Sequence, residues 1–155
     1  MSTNERVSRP VSPAGALCLC LALFAASVGA VATEPGRSAL VVVVNDGNDV
    51  ERMSIREVRK LFLGKSRKLP DGSRAVLVRF EPSSSLFNAR VLNRSDAQVD
   101  AAWSRLRFSG RVRAPHGFDS VEKLLSFVAS TPNAVAYVPV ELVTDGVRRV
   151  FEVPR

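Results

Sequence analysis

The sequence predicts an α/β domain in which a small, mainly parallel sheet is flanked by helices. Three observations carry that prediction. Val41 to Val44 form an unbroken run of β-branched residues, the pattern of a strand covered on both faces. Several later segments repeat apolar residues at helical spacing behind a side chain suited to capping. Two further apolar strand patterns lie among them, so the chain alternates strand, helix, strand, helices and strand as layered α/β folds do. Right-handed crossovers then cover both faces of the sheet with helices.

The first strand runs from Ser38 to Asn45 and ends in the turn cluster Asn45-Asp46-Gly47-Asn48-Asp49. Ser54 and Glu57 are spaced as a capping box, and Ile55, Val58, Leu61 and Phe62 share one face of the helix they open. Gly64 closes it. Pro70-Asp71-Gly72 is a tight turn leading from the basic stretch Lys65 to Lys68 into a second strand, Ala75 to Val78. Ser83, Ser84 and Ser85 offer N-caps for a helix carrying Phe87, Val91 and Leu92 on its inner side. Another helix starts near Ser95, with Val99, Ala102, Trp103 and Leu106 at helical spacing. Gly110 and Pro115 break the following stretch, and Asp119 with Glu122 resembles a capping box for Val121, Leu124, Leu125 and Val128. Pro132 ends that helix. Ala134 to Val138 is a buried strand, and Asp145-Gly146 turns the chain into a last one, Val147 to Val153.

With 46% hydrophobic and 24% charged residues, the 155-residue chain has the composition of one ordinary globular domain, not of a disordered, fibrous or repeat protein. The apolar content is uneven. Ala14 to Ala32 holds no charge, follows Arg6 and Arg9, and ends in Ala30-Val31-Ala32 before the polar Thr33-Glu34-Pro35. These features predict a signal peptide over 1–32 and a domain over 33–155, with cleavage after Ala32 or, as second choice, after Ala30. An uncleaved anchor is the alternative, because the run approaches the roughly 20 residues that span a bilayer. Cleavage places the domain in the periplasm or outside the cell, without stable membrane insertion. Cys18 and Cys20 both leave with the signal, so 123 residues without cysteine must fold without a disulfide.

Removing Arg6, Arg9 and Glu5 reduces 22 basic and 15 acidic residues to 20 and 14, a net charge of +6. Export argues against nucleic acid as a partner. The charge suits small anions or an acidic surface, and solubility alone would also explain it. Arg105, Arg107, Arg111 and Arg113 surround Phe108 and Gly110, a segment that reads either as a solvated face or as a dock for an acidic partner or headgroups.

Little in the sequence favours catalysis. His116 is the only histidine and lies in a loop context, Ala-Pro-His-Gly, and the mature chain has no thiol nucleophile. No cluster has metal-ligand spacing and no nucleotide-binding glycine loop occurs, so neither metal nor cofactor is expected. The informative constellation is Arg79-Phe80-Glu81-Pro82-Ser83-Ser84-Ser85 at the end of the second strand. Donors at a helix start, serine hydroxyls and a guanidinium together suit a tetrahedral oxyanion, while plain helix capping is the simpler use of the same serines. In a parallel sheet Asn45 and Asp46 would share that edge, although Asp46 would repel an anion. The candidate anion-binding residues are therefore Asn45, Arg79, Ser83, Ser84 and Ser85. Tyr137 either borders the same crevice or is a core tyrosine.

Several stretches, in order, carry a resemblance: VVVVN at 41–45, IREVRKLFLGK at 55–65, PDG at 70–72, the serine cluster before Phe87, WSRLRFSG at 103–110 and TPNAVAYVP at 131–139. Together they resemble the type II periplasmic binding proteins related to the phosphate-binding subunits of ATP-binding-cassette importers, and specifically short, single-lobe relatives. TPNAVAYV is similar to that family's T-P-G-A-I-G-Y-V, with Asn133 and Ala136 in place of glycines. The family's Ser-Gly-Thr followed by Arg is here Ser83-Ser84-Ser85-Leu86. The resemblance implies an exported, non-enzymatic binding protein taking phosphate or another small oxyanion weakly, with a transporter or other envelope protein as partner. The alternative it leaves is an envelope interaction module that has kept the fold and lost the ligand.

Overall fold

The computed structural model of the protein describes residues 39–110 and 113–154. The expected signal peptide and Arg111 lie outside the described residues. Leu40–Asn45 forms β1, Val76–Phe80 β2, His116–Phe118 β3, Ala134–Pro139 β4 and Val147–Glu152 β5. They make one sheet in the order β3-β2-β4-β1-β5. β2 runs parallel to both β3 and β4, whereas β1 runs antiparallel to β4 and to β5. Four strands thus share one direction and β1 alone opposes them, so the sheet is mostly but not entirely parallel.

Burial follows the strand patterns. Every residue from Leu40 to Val44 and from Ala134 to Pro139 is buried, as expected of strands covered on both faces. β5 is an edge strand with a bulge where it passes Val42 and Val43, which lets Val150 and Val153 both turn inward.

The helix Ile55–Phe62, α1, forms where its capping box predicts: Glu57 N–H donates to Ser54 Oγ at 3.3 Å, and Ser54 N–H donates to the Glu57 carboxylate at 2.7 Å. Val58, Leu61 and Phe62 are its buried face. Gly64 ends it at φ 68°, and a Cβ there would stand 2.4 Å from Leu106 and 3.2 Å from Trp103. The glycine is required twice, for the left-handed turn and for the approach of the next helix layer. That layer is α3, Asp96–Phe108, capped by Ser95 and Gln98. Its Trp103 donates an indole N–H to Phe62 O at 3.0 Å, which pins α3 to the end of α1.

Three local expectations change. The segment after β2 is not one regular helix: a 3-10 turn over Glu81–Ser83 leads into α2, Ser84–Phe87, and then a π-helical turn over Asn88–Leu92. Phe87, Val91 and Leu92 are nevertheless its buried apolar residues. His116 sits not in a loop but at the start of β3, which three residues of backbone pairing with β2 create at the sheet edge. The helix α4, Val121–Ser130, is capped by Ser120, which accepts from Lys123 N–H, and not by Asp119.

The centre of the core is aromatic. Phe87 stacks on Tyr137 with ring centroids 3.9 Å apart, and the edge of Phe62 meets both rings at 4.9 and 5.5 Å. This cluster joins α1, α2 and β4 directly beneath the turn that carries the serines.

Candidate functional site

β2 ends at Phe80, and Pro82 forces the chain out of the sheet into the 3-10 turn that delivers Ser83, Ser84 and Ser85 to the corner above β4. Each serine has a different fate. Ser83 is buried and makes no side-chain cap bond. Ser84 Oγ donates back to Phe80 O at 3.1 Å, which leaves it to accept from the Tyr137 hydroxyl 2.8 Å away. Burial pushes the Tyr137 hydroxyl well above the usual phenol range, with Ser84 opposing in part, so it remains a neutral donor. Ser85 Oγ donates to the Asp96 carboxylate at 2.5 Å.

Asp96 is the group that sequence reasoning missed. It stands at the first turn of α3, and the chain reaches it by reversing at Asn93, which takes a left-handed φ of 53°. Asn88 Nδ2 donates to its second oxygen at 2.8 Å. Ser85, then Asn88, and more weakly Arg79 hold the Asp96 carboxyl below the usual carboxylate range, so it is ionised at neutral pH. The corner therefore already holds an oxyanion, and that oxyanion belongs to the chain itself.

Arg79 is likewise engaged. Its Nε and a terminal nitrogen both reach Glu81 Oε1, at 3.0 and 2.8 Å, and Asp100 lies 3.8 Å from the other terminal nitrogen. The Glu81 carboxylate takes this position beside Gly117, opposite Arg79 in β3, where a side chain would make it shift. One guanidinium thus pairs with the carboxylates of Glu81 and Asp100, and its charge also acts weakly on that of Asp96.

Asn45 does not belong to this corner. Because β1 opposes β4 and β2, Asn45 lies beyond the Val44–Val135 pair, level with the start of β2, roughly 13 Å along the strand direction from Phe80. Its amide instead donates to Val128 O at 3.0 Å and Ala129 O at 2.6 Å, closing the C-terminal end of α4. Asp46 lies on the same far edge and receives Arg148. The expected convergence of Asn45 with Arg79, Ser83, Ser84 and Ser85 rested on a parallel β1, and the antiparallel strand removes it. Tyr137 is a core residue whose hydroxyl reaches the corner, so both of its expected roles meet in one side chain.

In the basic segment, Arg105 donates to Ala101 O and Arg107 to Ser104 Oγ along their own helix, while Phe108 is 92% exposed. Among the described residues no group of three His, Cys, Asp or Glu side chains is placed to hold a metal ion, and no helix is long and apolar enough to cross a membrane.

The fold, with its serine turn over the carboxyl edge of β2, is that of a single lobe of the type II periplasmic-binding-protein architecture. Several solved structures are similar in fold. Among them are a putative phosphate ABC transporter substrate-binding protein with bound phosphate from Clostridium perfringens (TM-score 0.59, 17% identity, covering 76% of this chain and 46% of that one), PstS from Borrelia burgdorferi (0.55, 12%, 73% and 46%), and an ABC-type phosphate transport receptor from Vibrio cholerae (0.50, 16%, 73% and 45%). The chain spans less than half the length of each. The first is described as a binding protein and the third as a receptor, neither as an enzyme. No family model and no curated protein matches the sequence.

Proposed function

We propose that this chain is an exported, non-enzymatic binding protein built on one lobe of the phosphate-receptor fold, taking phosphate or a similar oxyanion weakly at the Ser84–Ser85 corner. The observation that carries the reading is the Asp96 carboxylate itself, seated between Ser85 Oγ and Asn88 Nδ2 as an oxyanion guest would be. An external anion must displace or share with that carboxylate. With a single lobe around it the ion also stays partly solvated, so the dissociation constant is expected to be roughly millimolar, about 4 kcal/mol of binding.

Calorimetry with inorganic phosphate tests this. Replacing Arg79 with Ala removes a charge-assisted hydrogen bond worth roughly 1.5–3 kcal/mol and should weaken binding about tenfold or more. Rising salt should weaken it further. Absence of phosphate or sulfate binding at millimolar concentration would discard this reading in favour of an interaction module that keeps the fold without the ligand. The three carboxylates around Arg79 are the observation on that module's side.

Export rests on the charge-free run and on Ala30-Val31-Ala32. N-terminal sequencing of the exported protein should read Thr33 first. A chain recovered from membranes with Met1 intact would establish an anchor instead.

A further inference from the structure

The opposite edge of the sheet carries a feature that the serine corner does not use. A cavity of about 650 Å³ opens where β2 and β3 begin, and Arg67, Arg74 and Arg113 stand around it with His116. Its wall is apolar, formed by Val76, Leu77, Phe127 and an edge of Trp103. The two arms of the Pro70-Asp71-Gly72 turn hold Arg67 and Arg74 together, through Lys68 pairing with Arg74 and Ala75 N–H donating to Arg67 O at 2.9 Å. The indole is fixed by its bond to Phe62 O.

Charge and size both restrict the occupant. Among the described residues no carboxylate lines the cavity, and none of the three guanidiniums joins an ion pair. Three like charges around one hollow repel one another, and an anion relieves that repulsion. Inorganic phosphate leaves most of such a volume empty and gains nothing from aromatic and aliphatic walls. A hollow of this size and lining matches sites for small organic molecules. We infer that it binds a small amphipathic anion, an aromatic or aliphatic body bearing a phosphate or carboxylate head that the arginines hold through paired N–H donors.

The experiment is titration of the full chain with phenyl phosphate, benzoate and inorganic phosphate, followed by calorimetry and by the emission of Trp103, the only tryptophan. Phenyl phosphate or benzoate is expected to bind at least tenfold tighter than inorganic phosphate and to change the Trp103 emission. Arg67→Ala combined with Arg74→Ala should lower that affinity at least tenfold. Both side chains are exposed, and an unchanged thermal midpoint would show that the fold is intact. Arg79→Ala, at the far edge, should leave the change in Trp103 emission on benzoate binding unaltered, which separates this site from the serine corner. The inference is overturned if neither organic anion binds more tightly than inorganic phosphate, if the double arginine variant binds normally, or if Arg79→Ala is the change that abolishes binding.

Discussion

Replacing Phe87 with Ala is expected to cost about 3–5 kcal/mol, the range for emptying a fully buried aromatic site. The ring is 0% exposed, stacks on Tyr137 and receives the edge of Phe62, so its loss opens a hole that three separate elements share. Domains of this size hold only about 5–15 kcal/mol in total, so the midpoint should fall by roughly 10–20 °C, and a less stable domain would unfold altogether. A melt followed by circular dichroism measures it. A loss below about 1 kcal/mol would mean that the aromatic cluster does not form the centre of the core.

Asp96→Asn should produce the largest change in binding. The substitution keeps a side-chain oxygen to accept from Ser85 and removes the negative charge that competes with any incoming anion. Two like charges about 4 Å apart repel by roughly 1 kcal/mol in water and about 4 kcal/mol nearer a protein interior, so phosphate should bind about tenfold tighter or better. Acid should act in the same direction. Because the folded protein lowers the Asp96 carboxyl, its contribution to stability is present at neutral pH and disappears as pH falls through that lowered value. Once the pH is below that lowered value, under the ordinary carboxylate range, the Ser85 and Asn88 bonds to Asp96 should loosen while the corner gains accessibility. If the Asp96→Asn variant binds phosphate no better than the native protein does, the serine corner is not an oxyanion site.

What was legible in the sequence was whatever neighbours decide. Ser54 with Glu57 and the glycine at 64 act within a few residues, and the helix they specify is present; the apolar spacing of Phe87, Val91 and Leu92 gave the buried face, though the segment is a succession of short helical turns. The direction of β1 is a different kind of fact. A run of buried valines reads the same in a parallel and an antiparallel partnership, and only its distant partners β4 and β5 decide, so a parallel reading places Asn45 at the wrong edge. β3 is three residues including a glycine, too short for any pattern. In the sequence Asp96 is indistinguishable from an ordinary first-turn acid of a helix, and nothing local announces that the reversal at Asn93 folds it back onto Ser85 and Asn88. Of the candidate site, Arg79, Ser83, Ser84 and Ser85 do lie together; their partners were not readable.

The lone opposing strand also dictates an order of assembly. β1 is made before every other element of the sheet, yet it pairs only with the two made after all the rest: Val44 waits for Val135, and Asn45 for Val147. Until β4 and β5 have left the ribosome or translocation pore, Leu40–Val44 has no native hydrogen-bond partner and remains an apolar β-former suited to pairing with copies of itself. Such long-range closure slows folding, because loop entropy is lost before the contacts that reward it can form. A nascent chain stopped before β4 is therefore expected to need a holding chaperone, and refolding yield should fall as protein concentration rises.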